Sequence, residues 1–232
     1  MLANHRRTLV HALVLLAAMV AVFAAVGRHP PSLAPETTVP FVGAWDMAVY
    51  RATDDIRTGL VTALARMMDV LGAGIVTIPF RIGIALWLAA RRRWRALAAW
   101  LATWAVAEIA LGVGKPFFHR GRPPEPLVST VGYSFPSGHA VAGASIAVAL
   151  VLVLMDPGTR RRTWGWLAVG FAFAMALSRV YLHAHWLSDV VAGVLLGSGV
   201  ALGSAAIVTE IRDHVGSRRL GTRAHAAEGP AP

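Results

Sequence analysis

The residues able to do chemistry in this chain gather in three short blocks: Lys115 to Pro123, Pro136 to His139, and Ser178 to Asp189. The first holds the only lysine of the chain together with Arg120 and Arg122, in a turn that also carries His119 and Gly121. A lysine supplies a point charge and an arginine a planar fork of donors, and the two together match the oxygens of a phosphoryl group. The same cationic turn could also hold an anionic lipid headgroup. On this block alone the two readings stand side by side.

The second block, Ser134-Phe135-Pro136-Ser137-Gly138-His139, leads straight into an apolar run. Ser137 is placed to cap a helix, whose first N–H groups, those of Gly138 and His139, then form an anion site. Gly138 lets a substrate approach the backbone, and His139 offers a proton donor that titrates near neutrality. In the third block, His185 and Asp189 are four residues apart and share a helical face. A carboxylate there can accept the proton of one imidazole nitrogen and leave the other free as a nucleophile or base. The alternative is an interfacial histidine capped by a nearby acid. His183, two residues from His185, points elsewhere and receives no catalytic role.

Composition says what must position these blocks. The chain has 232 residues, of which 56% are hydrophobic and 15% charged, and its mean hydropathy is +0.58. That is too apolar for an ordinary soluble domain. Cysteine is absent, so there are no disulfides or thiolate metal sites. The net charge of +10 comes from clumps of arginine between apolar runs. Membrane topology explains such clumps better than nucleic-acid binding does, and no nucleic-acid partner is expected.

A spanning helix needs roughly 20 mostly apolar residues. Six segments qualify: Thr8 to Gly27, Leu71 to Ala90, Trp94 to Gly114, His139 to Met155, Thr163 to Ser178, and Leu187 to Val208. The expected fold is therefore all-α, a polytopic membrane bundle of about six helices with both termini on one side. Arg6 and Arg7, Arg91 to Arg93 with Arg95, Arg160 to Arg162, and Arg212, Arg218, Arg219 and Arg223 share one face, thirteen of the 22 Lys and Arg. The positive-inside rule makes that face cytoplasmic and turns the three blocks outward.

The expected organisation is a first transmembrane anchor over 1–27, an external loop with interfacial helices over 28–70, a transmembrane core over 71–210, and a disordered cytoplasmic tail over 211–232. The first segment also resembles a signal peptide, but its apolar stretch exceeds the usual ~7 to 15 residue core, which favours an uncleaved anchor. Pro30 to Pro40 reads as an external loop. Trp45 to Met68 has apolar and charged positions at helical spacing. It reads either as surface helices against the headgroups or as a packed extension of the second span. Inside the membrane, Arg81 and Glu108 lie at similar depth and are expected to pair, locking the second and third spans together.

The pattern Lys115, six residues, Arg122-Pro123; then Pro136-Ser137-Gly138-His139; then Ser178-Arg179, five residues, His185, three residues, Asp189 resembles the three-part signature of the type 2 phosphatidic acid phosphatase family. That superfamily also takes in class A acid phosphatases and vanadium haloperoxidases. The resemblance implies a membrane-embedded hydrolase of lipid phosphomonoesters or pyrophosphates with an outward-facing site. It implies that His185 attacks phosphorus to form a phosphohistidine, that Asp189 orients it, and that His139 protonates the departing oxygen. Lys115, Arg122, Ser137, Gly138 and Arg179 would then bind the phosphate oxygens. No metal and no other cofactor is implied, the protein's own cations taking that part, and the partners are a lipid phosphate and the bilayer, with no protein partner expected.

The same residues admit two other readings. A transporter or flippase would place polar groups and broken helices near the bilayer midplane, whereas these blocks fall at helix ends. Haloperoxidase-like use of the site is the enzymatic alternative, and a lipid-embedded scaffold argues against it. The resemblance allows phosphatidic acid, phosphatidylglycerol phosphate, diacylglycerol pyrophosphate or a polyprenyl phosphate such as undecaprenyl pyrophosphate. An arginine-rich, alanine-rich composition suggests a GC-rich bacterial genome and so a cell-envelope lipid, with the enzyme in the plasma (inner) membrane.

Overall fold

The computed structural model describes residues 2–27 and 41–227. Among them the chain forms eight helices: α1 (Leu2–Gly27), α2 (Phe41–Asp55), α3 (Gly59–Gly72), α4 (Gly74–Ala90), α5 (Trp94–Phe118), α6 (Gly138–Leu154), α7 (Thr159–Tyr181) and α8 (Leu187–Ala227). The stretches Thr8–Val26, Trp94–Phe118, Thr159–Tyr181 and Leu187–Thr209 are each long and apolar enough to cross a bilayer. α3 and α4 together make a fifth, bent by 50° at the break between them. α6, at 17 residues, lies at the short end of the roughly 17–25 residues that span a bilayer. The six expected segments correspond to α1, the α3–α4 pair, α5, α6, α7 and α8. Val10, Leu13 and Val14 on α1, Ile109 and Val113 on α5, and Val169 and Phe173 on α7 are exposed. So wide an apolar surface suits lipid rather than water, and the chain is a polytopic helical membrane protein.

Several boundaries differ from expectation. α5 runs through Pro116 to Phe118 instead of stopping at Gly114, as spanning helices tolerate proline where neighbours resatisfy the backbone. α7 extends at both ends, from Thr159 to Tyr181. The backbone of α8 stays helical to Ala227, where a disordered tail was expected; alanine and arginine, both strong helix formers, favour continuation. The segment from Trp45 to Met68 is two helices: α2 packs against α7 and α8, while α3 packs against α7 and continues through the bend into α4. The external loop expected over Pro30 to Pro40 and the last residues, 228–232, lie outside the described residues.

α6 is the axis of the bundle, flanked by α7, α8 and α5. Its neighbours come close because small residues line the seams. A Cβ on Gly197 of α8 would stand 2.5 Å from the Val141 carbonyl oxygen, and one on Gly193 would stand 2.9 Å from that of Ser137. On the opposite side, a Cβ on Gly143 would meet Met175 of α7 at 2.9 Å. Without a hydrophobic drive between helices in lipid, this close backbone packing is what associates them. It sets the N-terminal ends of α6 and α8 side by side.

The intramembrane ion pair expected from sequence forms: Arg81 Nη1 donates to Glu108 Oε1 at 2.6 Å. Arg81 is buried, its guanidinium lies 5.5 Å from the Trp104 ring, and its carbonyl accepts from Trp100 Nε1 at 3.0 Å. α4 and α5 are thus joined by polar contacts within an apolar wall. At the end of the bundle away from the three blocks, Trp87 lies near Arg91 and Arg93, and Trp94, Trp164 and Trp166 are exposed. Aromatic and basic residues together mark a membrane–water boundary.

Candidate active site

The three sequence blocks meet at one end of the bundle, where α5 and α7 finish and α6 and α8 begin. Lys115 is in the last turn of α5, and its Nζ donates to the Tyr133 carbonyl at 2.8 Å. His119 closes that helix in the left-handed conformation, φ 47°, and turns the chain into the loop that carries Arg122. The Arg122 fork donates to the carbonyls of Val131 at 2.8 Å, Gly132 at 2.9 Å and Ala184 at 2.7 Å. Five rigid donors suit this role as a clamp across two loops. One of its nitrogens, Nη1, also stands 3.2 Å from His185 Nε2.

That contact decides the tautomer of His185. A guanidinium only donates, so Nε2 presents its lone pair and Nδ1 carries the hydrogen. Nδ1 faces Asp189 Oδ2 at 3.4 Å, without the alignment of a full hydrogen bond. Burial is the main reason the His185 imidazole is pushed down to about 4, with Arg122 and Arg179 acting the same way against the pull of Asp189. The ring is therefore neutral at physiological pH. Asp189 sits in the first turn of α8, where a carboxylate complements the helix dipole. Its Oδ2 accepts from the Trp186 N–H at 2.9 Å, the reciprocal half of a capping box. Its backbone carbonyl accepts from the Ser137 N–H at 3.1 Å.

Ser137 caps α6 as expected, its side chain accepting from the Ala140 N–H at 3.5 Å. Gly138 opens the helix, and nothing lies within 4 Å of where its Cβ would be. A ligand could thus approach the positive end of α6 along the backbone. His139 Nε2 lies 3.0 Å from the Asp69 carbonyl oxygen and 3.2 Å from its Oδ1. Arg179, at the end of α7, pairs with the same Asp69 oxygen, and its buried Nε has no partner. The Arg179 carbonyl also accepts from the Ala184 and His185 N–H groups. Seven of the eight site residues read from sequence are thus linked through a few shared partners, and the eighth, Gly138, sits between two of them at the start of α6.

Ser178, which begins the third block, turns back to donate to the Met175 carbonyl at 2.7 Å. His183 points away from the site, as expected. It is in the left-handed region, φ 51°, and buried 4.0 Å from the Tyr50 ring. Its Nε2 lies 2.8 Å from Thr53 Oγ1, and Arg57 Nη2 is 3.0 Å from its Nδ1. His183 is a clasp between α2 and the α7–α8 turn.

Sequence reasoning missed four participants. Arg120 is buried and pairs with both Asp189 and Asp46; Ser188 bridges the same group; and Asp69 joins Arg179 to His139. A signal was available. Only twelve acids occur in the chain, and seven of them, Asp46 and Asp69 included, fall on the outward segments, where each was a candidate counter-ion for the outward arginines.

Comparison with known proteins agrees with this fold. A curated relative named undecaprenyl-diphosphatase, from Sulfolobus acidocaldarius, is 42% identical over 76 residues, 32% of this chain and 34% of that one. The matched stretch thus spans about a third of that relative's length. Among solved structures, the first transmembrane PAP2 type phosphatidylglycerolphosphate phosphatase from Bacillus subtilis superposes with a TM-score of 0.70 at 24% identity, covering 88% of this chain and 96% of that one. Aquifex aeolicus LpxE superposes at 0.57 with 21% identity, over 68% of this chain and 93% of that one. The family model of the PAP2 superfamily matches residues 96–213, the stretch from α5 into α8 that holds every one of the three blocks. Signature, fold and family model coincide on the same helices, and the chain belongs to the PAP2 superfamily.

Proposed function

We propose that this protein is an integral membrane lipid phosphate phosphatase whose site opens on the extracytoplasmic face of the plasma membrane. The observation that carries the reading is His185: a buried neutral imidazole whose Nε2 lone pair is presented beside Arg122 while Nδ1 faces Asp189. In the first step Nε2 bonds to phosphorus as the ester or anhydride P–O bond breaks. The departing oxygen takes its proton from His139. In the second step His139, now neutral, takes a proton from water, whose oxygen attacks the phosphohistidine and releases inorganic phosphate. Each residue ends in the state in which it began.

Lys115, Arg122, Arg179, Ser137 and the N-terminus of α6 with Gly138 hold the phosphate oxygens through both transfers, where positioned cations and N–H groups stabilise the shifting charge. The protein's own cations serve where a metal ion otherwise would. Two lipid classes fit a site at the membrane surface: polyprenyl pyrophosphates and glycerophospholipid phosphomonoesters such as phosphatidic acid. The local likeness to an undecaprenyl-diphosphatase supports the first. The sidedness rests on the positive-inside distribution of arginine.

The test is release of inorganic phosphate by the purified full chain in detergent from a panel of both lipid classes, with EDTA present. Release from at least one lipid, lost in His185→Ala, is expected. Release by His185→Ala at the wild-type rate would remove the nucleophile assignment. Loss of release on adding EDTA would remove the metal-independent reading.

A further inference from the structure

Behind His185 lies a cluster of three charges of which only one, Asp189, belongs to the family signature. Arg120 Nη1 pairs with Asp189 Oδ1 and donates to Ser188 Oγ at 2.7 Å, while its Nη2 donates to Asp46 Oδ2 at 2.6 Å. Asp46 in turn accepts from the Ser188 N–H at 2.8 Å and from Ser188 Oγ at 2.7 Å. Asp46, Arg120 and Asp189 are 1%, 2% and 0% exposed. Asp46 comes from α2, outside the stretch matched by the family model, and reaches the cluster across 74 residues of sequence.

One guanidinium between two buried carboxylates leaves one negative charge over. Without Asp46, Arg120 would be neutralised by Asp189 alone, and Asp189 would have little field left for His185. Three charged groups face that ring: Asp189 from α8, Arg122 from the α5–α6 loop and Arg179 from the end of α7. Two cations thus oppose one anion, so the strength of Asp189 matters to any positive charge that develops on the imidazole. From this arrangement we infer that Asp46 is a positioning residue of the reaction, setting through Arg120 how much negative charge Asp189 offers to His185.

The inference rests on the proposed role of His185, and the two can fail separately. Asp46→Asn is nearly isosteric and removes the charge. With a lipid phosphate that the wild type hydrolyses, it is expected to keep KM within about twofold and to lower kcat about tenfold or more, the signature of an interaction made in the transition state. The acid limb of kcat/KM should move to lower pH, because weaker negative charge at Asp189 makes His185 harder to protonate. A purely architectural role would lower thermal stability and leave the pH profile of the folded protein in place.

If Asp46→Asn folds and keeps both kcat and the acid limb, the inference is overturned. Where it does not fold, the charge-balanced double variant Asp46→Asn with Arg120→Gln carries the test. It frees Asp189 from Arg120, so its acid limb is expected at or above the wild-type position, and a limb below that position overturns the inference. Should His185→Ala retain phosphate release, the reading of the site fails instead. If His185→Ala is inactive while Asp46→Asn is unchanged, only the role of Asp46 falls.

Discussion

Asp69 Oδ1 stands 3.2 Å from His139 Nε2 and pairs with Arg179 through the same oxygen. A carboxylate of α3 thus occupies the ground between two groups assigned to the phosphate and its leaving oxygen. Gly72, one turn further on, makes this approach possible, since a Cβ there would lie 2.5 Å from the His139 ring. On the proposed assignment a phosphate dianion binds Arg179 and competes with Asp69 for it. Asp69→Asn removes the competing charge and should therefore tighten inhibition by inorganic phosphate severalfold. It also takes from His139 the carboxylate that favours its protonated form, so kcat should fall. The inhibition constant of orthophosphate in steady-state assays is the measurement, and an unchanged or weaker constant would contradict the competition.

The depressed His185 imidazole makes a statement about pH. Burial brings it to about 4, well below the ordinary histidine value near 6.5. In its proposed role as nucleophile the ring must be neutral, so it is competent above about pH 4 and lost as pH falls through that value. The acid limb of kcat/KM, which reports the free enzyme, should therefore lie near 4 rather than near 6.5. Removing the acid partner with Asp189→Asn withdraws the pull that raises it, and the limb should move lower still while kcat drops by about 10²-fold or more. A wild-type limb near 6.5 in the pH–rate profile would show that His185 is not the group reported.

How legible this site was follows from where each residue sits. Lys115, Arg122, His139, Arg179, His185 and Asp189 stand at the ends of apolar runs, where any polar group is conspicuous and local spacing is informative. Asp46 and Asp69 are on α2 and α3, whose mixed pattern fitted a surface helix and a packed one equally. Their partners lie 74 and 110 residues away, and no periodicity encodes a contact at that distance. Arg120 was visible as a cation, but its direction was not, because a residue two before Arg122 in a loop can face either way. The Arg81–Glu108 pair was legible for the opposite reason: in lipid a lone charge must find a partner, and few were within reach.

That pair gives a prediction about stability alone. Arg81 is buried against Trp100 and Trp104, while the Glu108 side chain is 54% exposed. Polar contacts between spanning helices are worth about 0.6 to 2 kcal/mol, and the exposed partner places this one within that range. Arg81→Met should lower the thermal midpoint in detergent by a few degrees. Because neither residue touches the site, kcat of the folded variant should stay within about twofold of wild type. An unchanged midpoint would mean that the pair contributes nothing to helix association.

The seam between α6 and α8 can be tested from the side of packing. Ser137, Gly138 and His139 ride on the start of α6, and Asp189 on the start of α8, so the distance between these helices fixes the site. At Gly197 a Cβ would stand 2.5 Å from the Val141 carbonyl oxygen and 2.9 Å from the Ser145 nitrogen. Both are backbone atoms inside a helix and cannot turn aside as a side chain would. Gly197→Ala must therefore push α8 from α6, at a cost of about 1 to 3 kcal/mol for an overpacked core. The displacement should reach the first turn of α8, lengthen the contact between the Ser137 N–H and the Asp189 carbonyl, and lower kcat more than KM. Gly170→Ala on α7, where nothing lies within 4 Å of the added carbon, is the matched control and should keep wild-type activity. Equal activity and equal melting of the two variants would show that the seam has slack, and that the spacing of the site is set elsewhere.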